Sequence, residues 1–400
     1  MIPLVASYLD AVPFSGIIRI RDMMYSVERP FRLDQGDVSF DAPDTVKDAL
    51  LRGIADNRTH YVQTTGIPPL VEKLVEKLRT RNRIPIDDAE QVMVTTGGIH
   101  AVYVACQGLL EPGDEVLVPD PEWPPAAGNI AAARAVPVPY RLDPGREWRP
   151  DVEAMAKLVT PKTRAIYLNS PNNPTGGVLT RADLEAIAAL ARGRNLWVFS
   201  DEAYEDVLYD AREQVSIASL PGMFDRTIPL YTFSKTYAIT GLRLGYLAVR
   251  DATIRERMRK VLFYTVSNTS SLIQYGGVGA LSGSQDVVQA FRAELTARRD
   301  LFYDGITRVA RGVLAGTRPA GAFYAFLQVD PAWRSPLPGA SASPSWAMAE
   351  FLIKRGRIGC VPGADFGKNG EGYVRFCFAR DRSELAGALA SMKQLFGVTV

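Results

Sequence analysis

The feature that most constrains this chain is a repeated order of segments. Short apolar runs at 91–96, 115–118, 164–168, 196–199 and 228–233 are separated by stretches with helical patterning. Runs of that length read as strands buried on both faces. Their alternation with helices predicts an α/β chain with a largely parallel sheet. Leu70, Leu74 and Leu78 share a helical face behind Pro68 and Pro69, which suit a helix start. Gly97 and Gly98 open an apolar helix over 99–110. Over 284–309 the spacing of Val288, Phe291, Leu295, Phe302 and Ile306 predicts one long helix. Alternating strands and helices follow, with a loop over 331–345 and a last helix carrying Leu385, Leu389, Met392 and Phe396 on one face. A chain of 400 residues exceeds one ordinary core. A large domain over 44–283 and a smaller one after it are expected.

Composition removes several classes of function. The formal net charge is +2, from 46 basic and 44 acidic residues, which argues against nucleic acid or an anionic membrane as partner. The histidines are His60 and His100, too few for a zinc cluster, and a Ser-His-Asp triad is not expected either. Cys106, Cys360 and Cys377 lie far apart in apolar contexts and read as buried thiols of a reducing cytoplasm. The opening MIPLVASYLDAVPFSG has no basic lead and carries Asp10, so it does not read as a signal peptide. No run of about 20 apolar residues is present to span a membrane.

The strand ends carry the chemistry. Leu168 runs into NSPNNPTGG, Phe199 into SDEAYED and Phe233 into SKTYAITGLR. In an open parallel sheet, ligands bind outside the carboxyl ends of strands. Asn173, Asp201, Tyr204 and Lys235 are therefore expected in one crevice. Each has a plain alternative: Asp201 as a helix cap, NNPTG as a tight turn, Lys235 as a solvated cation. Their joint occurrence points to pyridoxal 5′-phosphate (PLP). That cofactor needs a lysine amine for its aldehyde and a carboxylate for its pyridinium nitrogen. Its phosphate suits the guanidinium of Arg243 and the helix start at Gly97-Gly98, unless that pair is only a turn. Trp123 offers a ring to cover the cofactor face, or simply packs under the Pro-rich loop. Arg375 lies in an apolar alternation, 373–378. A guanidinium there needs a carboxylate, from a substrate or from an internal ion pair.

Together these residues resemble the class I/II aminotransferases, the aspartate aminotransferase-like, fold type I PLP enzymes. The strings are YVQTTGIPPL, TTGGIHA, PEWPP, NSPNNPTG, SDEAYED, TFSKTYAITGLRLGY, GAFY and GYVRFCFA, spread from about residue 33 to 380. The resemblance implies a large PLP-binding domain with a mainly parallel sheet flanked by helices, and a smaller α+β domain joined by residues 1–43. Lys235 would hold PLP through its amine and serve as the catalytic base. Asp201 would pair with the ring nitrogen, and Asn173 and Tyr204 would contact the ring oxygen. Trp123 would stack on the ring. Gly98, Ile99, Thr232 or Ser234, and Arg243 would hold the phosphate. Tyr61 would reach the phosphate of a neighbouring subunit, which makes the active unit a homodimer. Arg375, bordered by Gly36 and Asn173, would clamp the substrate carboxylate.

Thr232 stands where many relatives carry Ser, and Leu242 where Trp is frequent. His100 is expected to serve as a local hydrogen-bond partner only. The expected reaction is transamination of an L-amino acid, aspartate or a broad range, with 2-oxoglutarate as acceptor. Phe323-Tyr324 and Ile17-Ile18 are candidates to border the side-chain pocket, which would favour apolar or aromatic substrates. A carbon–sulfur β-lyase shares the same residues. A regulator with an aminotransferase-like domain is disfavoured, because the resemblance starts near residue 33 and no helix-turn-helix domain is expected ahead of it.

Overall fold

The computed structural model describes residues 10, 12, 15–310 and 312–397. Two sheets organise it. The first contains β1 (Val92–Thr95), β2 (Glu115–Asp120), β3 (Val136–Asp143), β4 (Arg149–Pro150), β5 (Thr163–Asn169), β6 (Trp197–Asp201), β7 (Thr227–Thr232) and β8 (Gly245–Ala248), in the order β1-β8-β7-β6-β5-β2-β3-β4. Strands β3, β2, β5, β6 and β7 are mutually parallel. β8 runs against both β7 and β1, so β1 points the same way as β7.

Successive residues of these strands serve opposite faces, as strand geometry requires. Val116, Val118, Ala165, Tyr167 and Phe199 pack with helices Gly98–Leu109 and Ala252–Val266. Leu117, Ile166, Leu168 and Val198 pack on the other side with Leu184, Ile187 and Ala188 of helix Arg181–Gly193. Both faces being covered explains why the strands read as continuous apolar runs. Helix Pro68–Thr80 presents Leu70, Leu74 and Leu78 to β1 and β8, as its spacing predicted.

The second sheet contains β9 (Leu314–Ala315), β10 (Tyr324–Val329), β11 (Val361–Pro362) and β12 (Tyr373–Cys377), ordered β11-β12-β10-β9 and antiparallel throughout. The chain over 16–39 joins it. Phe31 bridges Ile358, and Leu33 O accepts the Cys377 N–H at 2.7 Å. Ile20 and Met24 of helix Gly16–Tyr25 share a core with Phe302, Leu352 and Phe376. Helix Asp286–Val309 spans both cores, with Val288 in one and Leu295, Phe302 and Ile306 in the other.

Several boundaries differ from the sequence reading. Phe233 is not strand but opens a one-turn helix, Phe233–Thr236, capped by the Thr232 hydroxyl, which accepts the Ser234 N–H. β3 and β8 were not anticipated. β3 contains Pro137 and Pro139, which read against a strand. Its partner β4 covers only Leu142 and Asp143, so 136–139 is an open edge where missing N–H groups cost little.

Candidate active site

The carboxyl ends of β1, β2, β5, β6 and β7 open onto one pocket of about 310 Å³. Its walls include Gly36, Gly98, Ile99, Trp123, Asn173, Asp201, Tyr204, Thr232, Ser234, Lys235, Arg243 and Arg375. Every expected site residue is therefore brought together except Tyr61. Tyr61 is 89% exposed and stands outside the pocket of its own chain.

Lys235 sits on the one-turn helix just past β7, and its Nζ donates to Gly36 O at 2.5 Å. Burial lowers its amine to about 8, against the pull of the Asp37 carboxylate; Arg375 and Arg243 lower it further. A lysine so displaced carries far more neutral amine at neutral pH than an ordinary one.

Asp201 ends β6 and is 8% exposed. Its Oδ2 accepts the Tyr167 hydroxyl at 2.7 Å and its Oδ1 the Ala203 N–H at 3.0 Å. Burial raises its carboxyl above the usual range, and those two hydrogen bonds oppose the rise. No cation pairs with it among the described residues. A buried carboxylate without a cation is suited to a ligand that brings one, such as a protonated ring nitrogen.

Arg375 lies on β12 and is 2% exposed. One terminal nitrogen donates to Asn173 Oδ1 at 3.0 Å and the other to Asp34 O at 2.7 Å. Its Nε is buried without a partner. The guanidinium lies 4.5 Å from the Tyr324 ring centroid and 5.0 Å from that of Phe366. No Asp or Glu pairs with it among the described residues, so the internal ion pair weighed from sequence is absent.

The other end of the pocket is built for an anion. Gly97 has φ +83°, and a Cβ there would stand 2.5 Å from an Arg243 terminal nitrogen. Gly98 begins the helix, so unpaired backbone N–H groups face that end. Arg243 is held at φ +60° with one terminal nitrogen on Thr240 O at 2.8 Å. His100 takes no part. Its Nδ1 accepts the Thr96 N–H at 3.1 Å, and its Nε2 lies 3.0 Å from Thr265 Oγ1. Since burial lowers its pKa and Nδ1 accepts, the neutral ring donates from Nε2. This is the local role expected for it.

These donors fit PLP. The set comprises a lysine of lowered pKa, a buried carboxylate lacking a cation, an aromatic wall at Trp123 and an anion cradle facing Arg243. Residues not picked from sequence also line the pocket: Asn169, Ala203 and Thr240. Asn169 directly ends β5, so the strand-end rule could have found it. Of the residues proposed for the side-chain border, Ile17 and Tyr324 line the pocket, while Phe323 and Ile18 are not among its walls. Tyr204 and Tyr324 share a hydroxyl–hydroxyl hydrogen bond of 2.8 Å.

Fold and site together define a PLP-dependent enzyme of fold type I. The family model "Aminotransferase class I and II" matches residues 28–392, and the chain belongs to that family; it is a PLP-dependent transaminase. It is 36% identical to aromatic-amino-acid aminotransferase 2 of Thermococcus litoralis, over 97% of each chain. It is 35% identical to an aspartate aminotransferase of Pyrococcus abyssi, again over 97% of each. The structure of aspartate aminotransferase from Thermus thermophilus with maleate superposes with a TM-score of 0.89 at 31% identity, covering 98% of this chain and 100% of that one.

Proposed function

We propose that this transaminase accepts a broad range of L-amino acids, aromatic and apolar ones and aspartate included, with 2-oxoglutarate as acceptor. The observation that carries the reading is Arg375. A guanidinium is held inside the protein with no carboxylate of its own among the described residues, in the same pocket as a lysine of lowered pKa. A substrate α-carboxylate completes it. Gly36 and Asn173 border that carboxylate.

In this reading Lys235 tethers the cofactor and Asp201 holds its ring nitrogen. Asn173 and Tyr204 face its ring oxygen, and Trp123 covers its face. Gly98, Ile99, Thr232, Ser234 and Arg243 hold its phosphate. When bound, the cofactor draws electrons from the substrate α-carbon. Arg375 would fix the amino acid so that Lys235 Nζ, once free, could take the proton from Cα as base and deliver it, as acid, to the carbon of the cofactor's former aldehyde. Ile17 and Tyr324 supply an apolar and aromatic wall. Among the described residues the pocket has no cation besides Lys235, Arg243 and Arg375, which supports aromatic and apolar side chains. The relatives named for aromatic amino acids and for aspartate support the wider range.

The test is single turnover of the purified, cofactor-loaded protein with a panel of amino acids, followed by the loss of its visible absorbance. Phenylalanine, tyrosine and aspartate should all discharge it, and 2-oxoglutarate should restore it. Release of pyruvate from cystathionine without any oxo acid, and no restoration by 2-oxoglutarate, would overturn the reading in favour of elimination.

We further infer a homodimer with shared sites. Tyr61, exposed on its own chain, would contact the phosphate of its neighbour. Exposed Leu51, Ile54, Phe263 and Tyr264 supply apolar surface for such a contact. The three free, buried thiols support a cytoplasmic setting. Separate sheets and cores support two domains, 44–283 and 1–43 with 284–400. Among the described residues no helix is long and apolar enough to cross a membrane.

A further inference from the structure

We propose that Tyr167 is a positioning residue for the cofactor ring nitrogen, acting through the carboxylate of Asp201. This rests on the reading above that Asp201 holds that nitrogen. Tyr167 lies within β5, opposite Phe199 of β6, and is fully buried. Asp201 stands two pairs further along, opposite Asn169. The Tyr167 hydroxyl reaches forward to Asp201 Oδ2 at 2.7 Å. It is the only side-chain donor to this carboxylate among the described residues; the other donor is the Ala203 N–H on Oδ1. Tyr167 does not line the pocket, so it touches the cofactor only through Asp201.

The sense of the bond follows from what surrounds it. A carboxylate only accepts, so the phenol donates. Three other groups face Asp201. Glu122, just before Trp123, accepts the Trp123 N–H at 2.8 Å and the Asn172 side-chain N–H at 2.9 Å. Burial pushes its carboxyl well above the usual range, and the Asp201 charge adds to that. Tyr204 and Tyr167 are held protonated, chiefly by burial. Burial opposes the charge of Asp201 as well. Hydrogen bonds to the ionised form preserve that charge. Tyr167 supplies the charge-preserving donor that the side chains offer. It also fixes the carboxylate plane, leaving the remaining lone pairs for a ring N–H. Without the hydroxyl, Asp201 would tend to become neutral and lose its hold on a protonated ring.

The test measures cofactor binding by the cofactor-free protein, at equilibrium. Two ligands are compared: PLP and its analogue with carbon in place of the ring nitrogen. Tyr167→Phe should bind PLP about tenfold or more weakly, a hydrogen bond to a charged group being of that order. It should bind the carbon analogue as the parent protein does. In an Asp201→Asn background, Tyr167→Phe should have no further effect on PLP. An equal loss for both ligands would make Tyr167 a merely structural residue and overturn the proposal, as would no loss for either. Tyr167→Leu serves in the same comparison should the Phe variant fail to fold. Asp201→Asn separates the two levels of inference. If its loss too falls equally on both ligands, the role given to Asp201 fails. If its loss is confined to PLP and that of the Tyr167 variants is not, only the present proposal fails.

Discussion

Arg375 keeps a charge inside the protein, offset by two hydrogen bonds and two aromatic faces but by no carboxylate among the described residues. Truncating a buried charge at a binding site costs about 2–5 kcal/mol, so Arg375→Ala should lower kcat/KM roughly 30- to 5,000-fold. The bound-cofactor spectrum should persist. Arg375→Lys keeps the charge but loses the fork and should recover little of the loss. A vanished spectrum in either variant would mean that Arg375 holds the cofactor site together instead. Lys235 gives a second prediction. With its amine at about 8 instead of 10.5, about one in ten is neutral at pH 7, against about one in 3,000 for an ordinary lysine. The rate at which cofactor-free protein captures PLP should therefore climb with pH and level off just above 8. Stopped-flow absorbance reads it, and a rate still climbing at pH 10 would show that burial does not displace this amine. Both residues were legible in the sequence because their chemistry is out of place there: a cation past a core strand, a guanidinium within one. Tyr167 was not. A tyrosine in an apolar run looks like packing, and only the fold reveals where its hydroxyl goes. The one available signal was general, that a buried phenol needs a partner.

Elements set the anion cradle by close approach of backbone to backbone. β8 crosses directly over the turn between β1 and its helix. A Cβ on Gly245 would lie 2.6 Å from Gly97 C, 2.8 Å from Gly98 N and 2.8 Å from Tyr231 O. None of these is a flexible side chain that can swing aside. Gly245→Ala must therefore displace the Gly97-Gly98 turn, at about 1–3 kcal/mol of overpacking. PLP affinity should fall roughly tenfold or more with it. Gly241, four residues earlier, meets nothing within 4 Å, and Gly241→Ala should bind PLP normally. Equal affinities for the two variants, by titration of cofactor-free protein, would show that this approach does not shape the cradle. The sequence displayed the glycines as a motif but not their separate loads. It also hid β8 itself, a four-residue strand beside a motif that reads as loop. The longer parallel strands were visible because both faces are covered and every position is apolar. β3 was hidden by prolines that only its open edge tolerates.

Across the whole molecule, the N-terminal chain and the second sheet reach back to the pocket. Asp34 and Gly36 are placed by the pairing of Phe31 and Leu33 with Ile358 and Cys377. That assembly depends on contacts hundreds of residues apart, which no local pattern encodes. A shared site between subunits is a further step of the same kind, and subunit mixing tests it. In the proposed dimer each pocket combines Lys235 of one subunit with Tyr61 of the other. Lys235→Ala and Tyr61→Ala proteins should each have little activity when cofactor is scarce. Unfolded together and refolded as an equal mixture, half of the dimers would be hybrids. Each hybrid holds one pocket with both residues intact and one with neither. The mixture should then recover about a quarter of the parent activity, since isologous dimers exchange equivalent surfaces. The Tyr61→Ala protein carries Lys235 but lacks the neighbour's tyrosine, so its own cofactor affinity should be restored only in the hybrid. If the mixture instead shows the average of its two components, Tyr61 serves its own chain or none. Light scattering on the parent protein should in parallel give twice the chain mass of 43.8 kDa. A monomer with full activity would remove the shared site altogether.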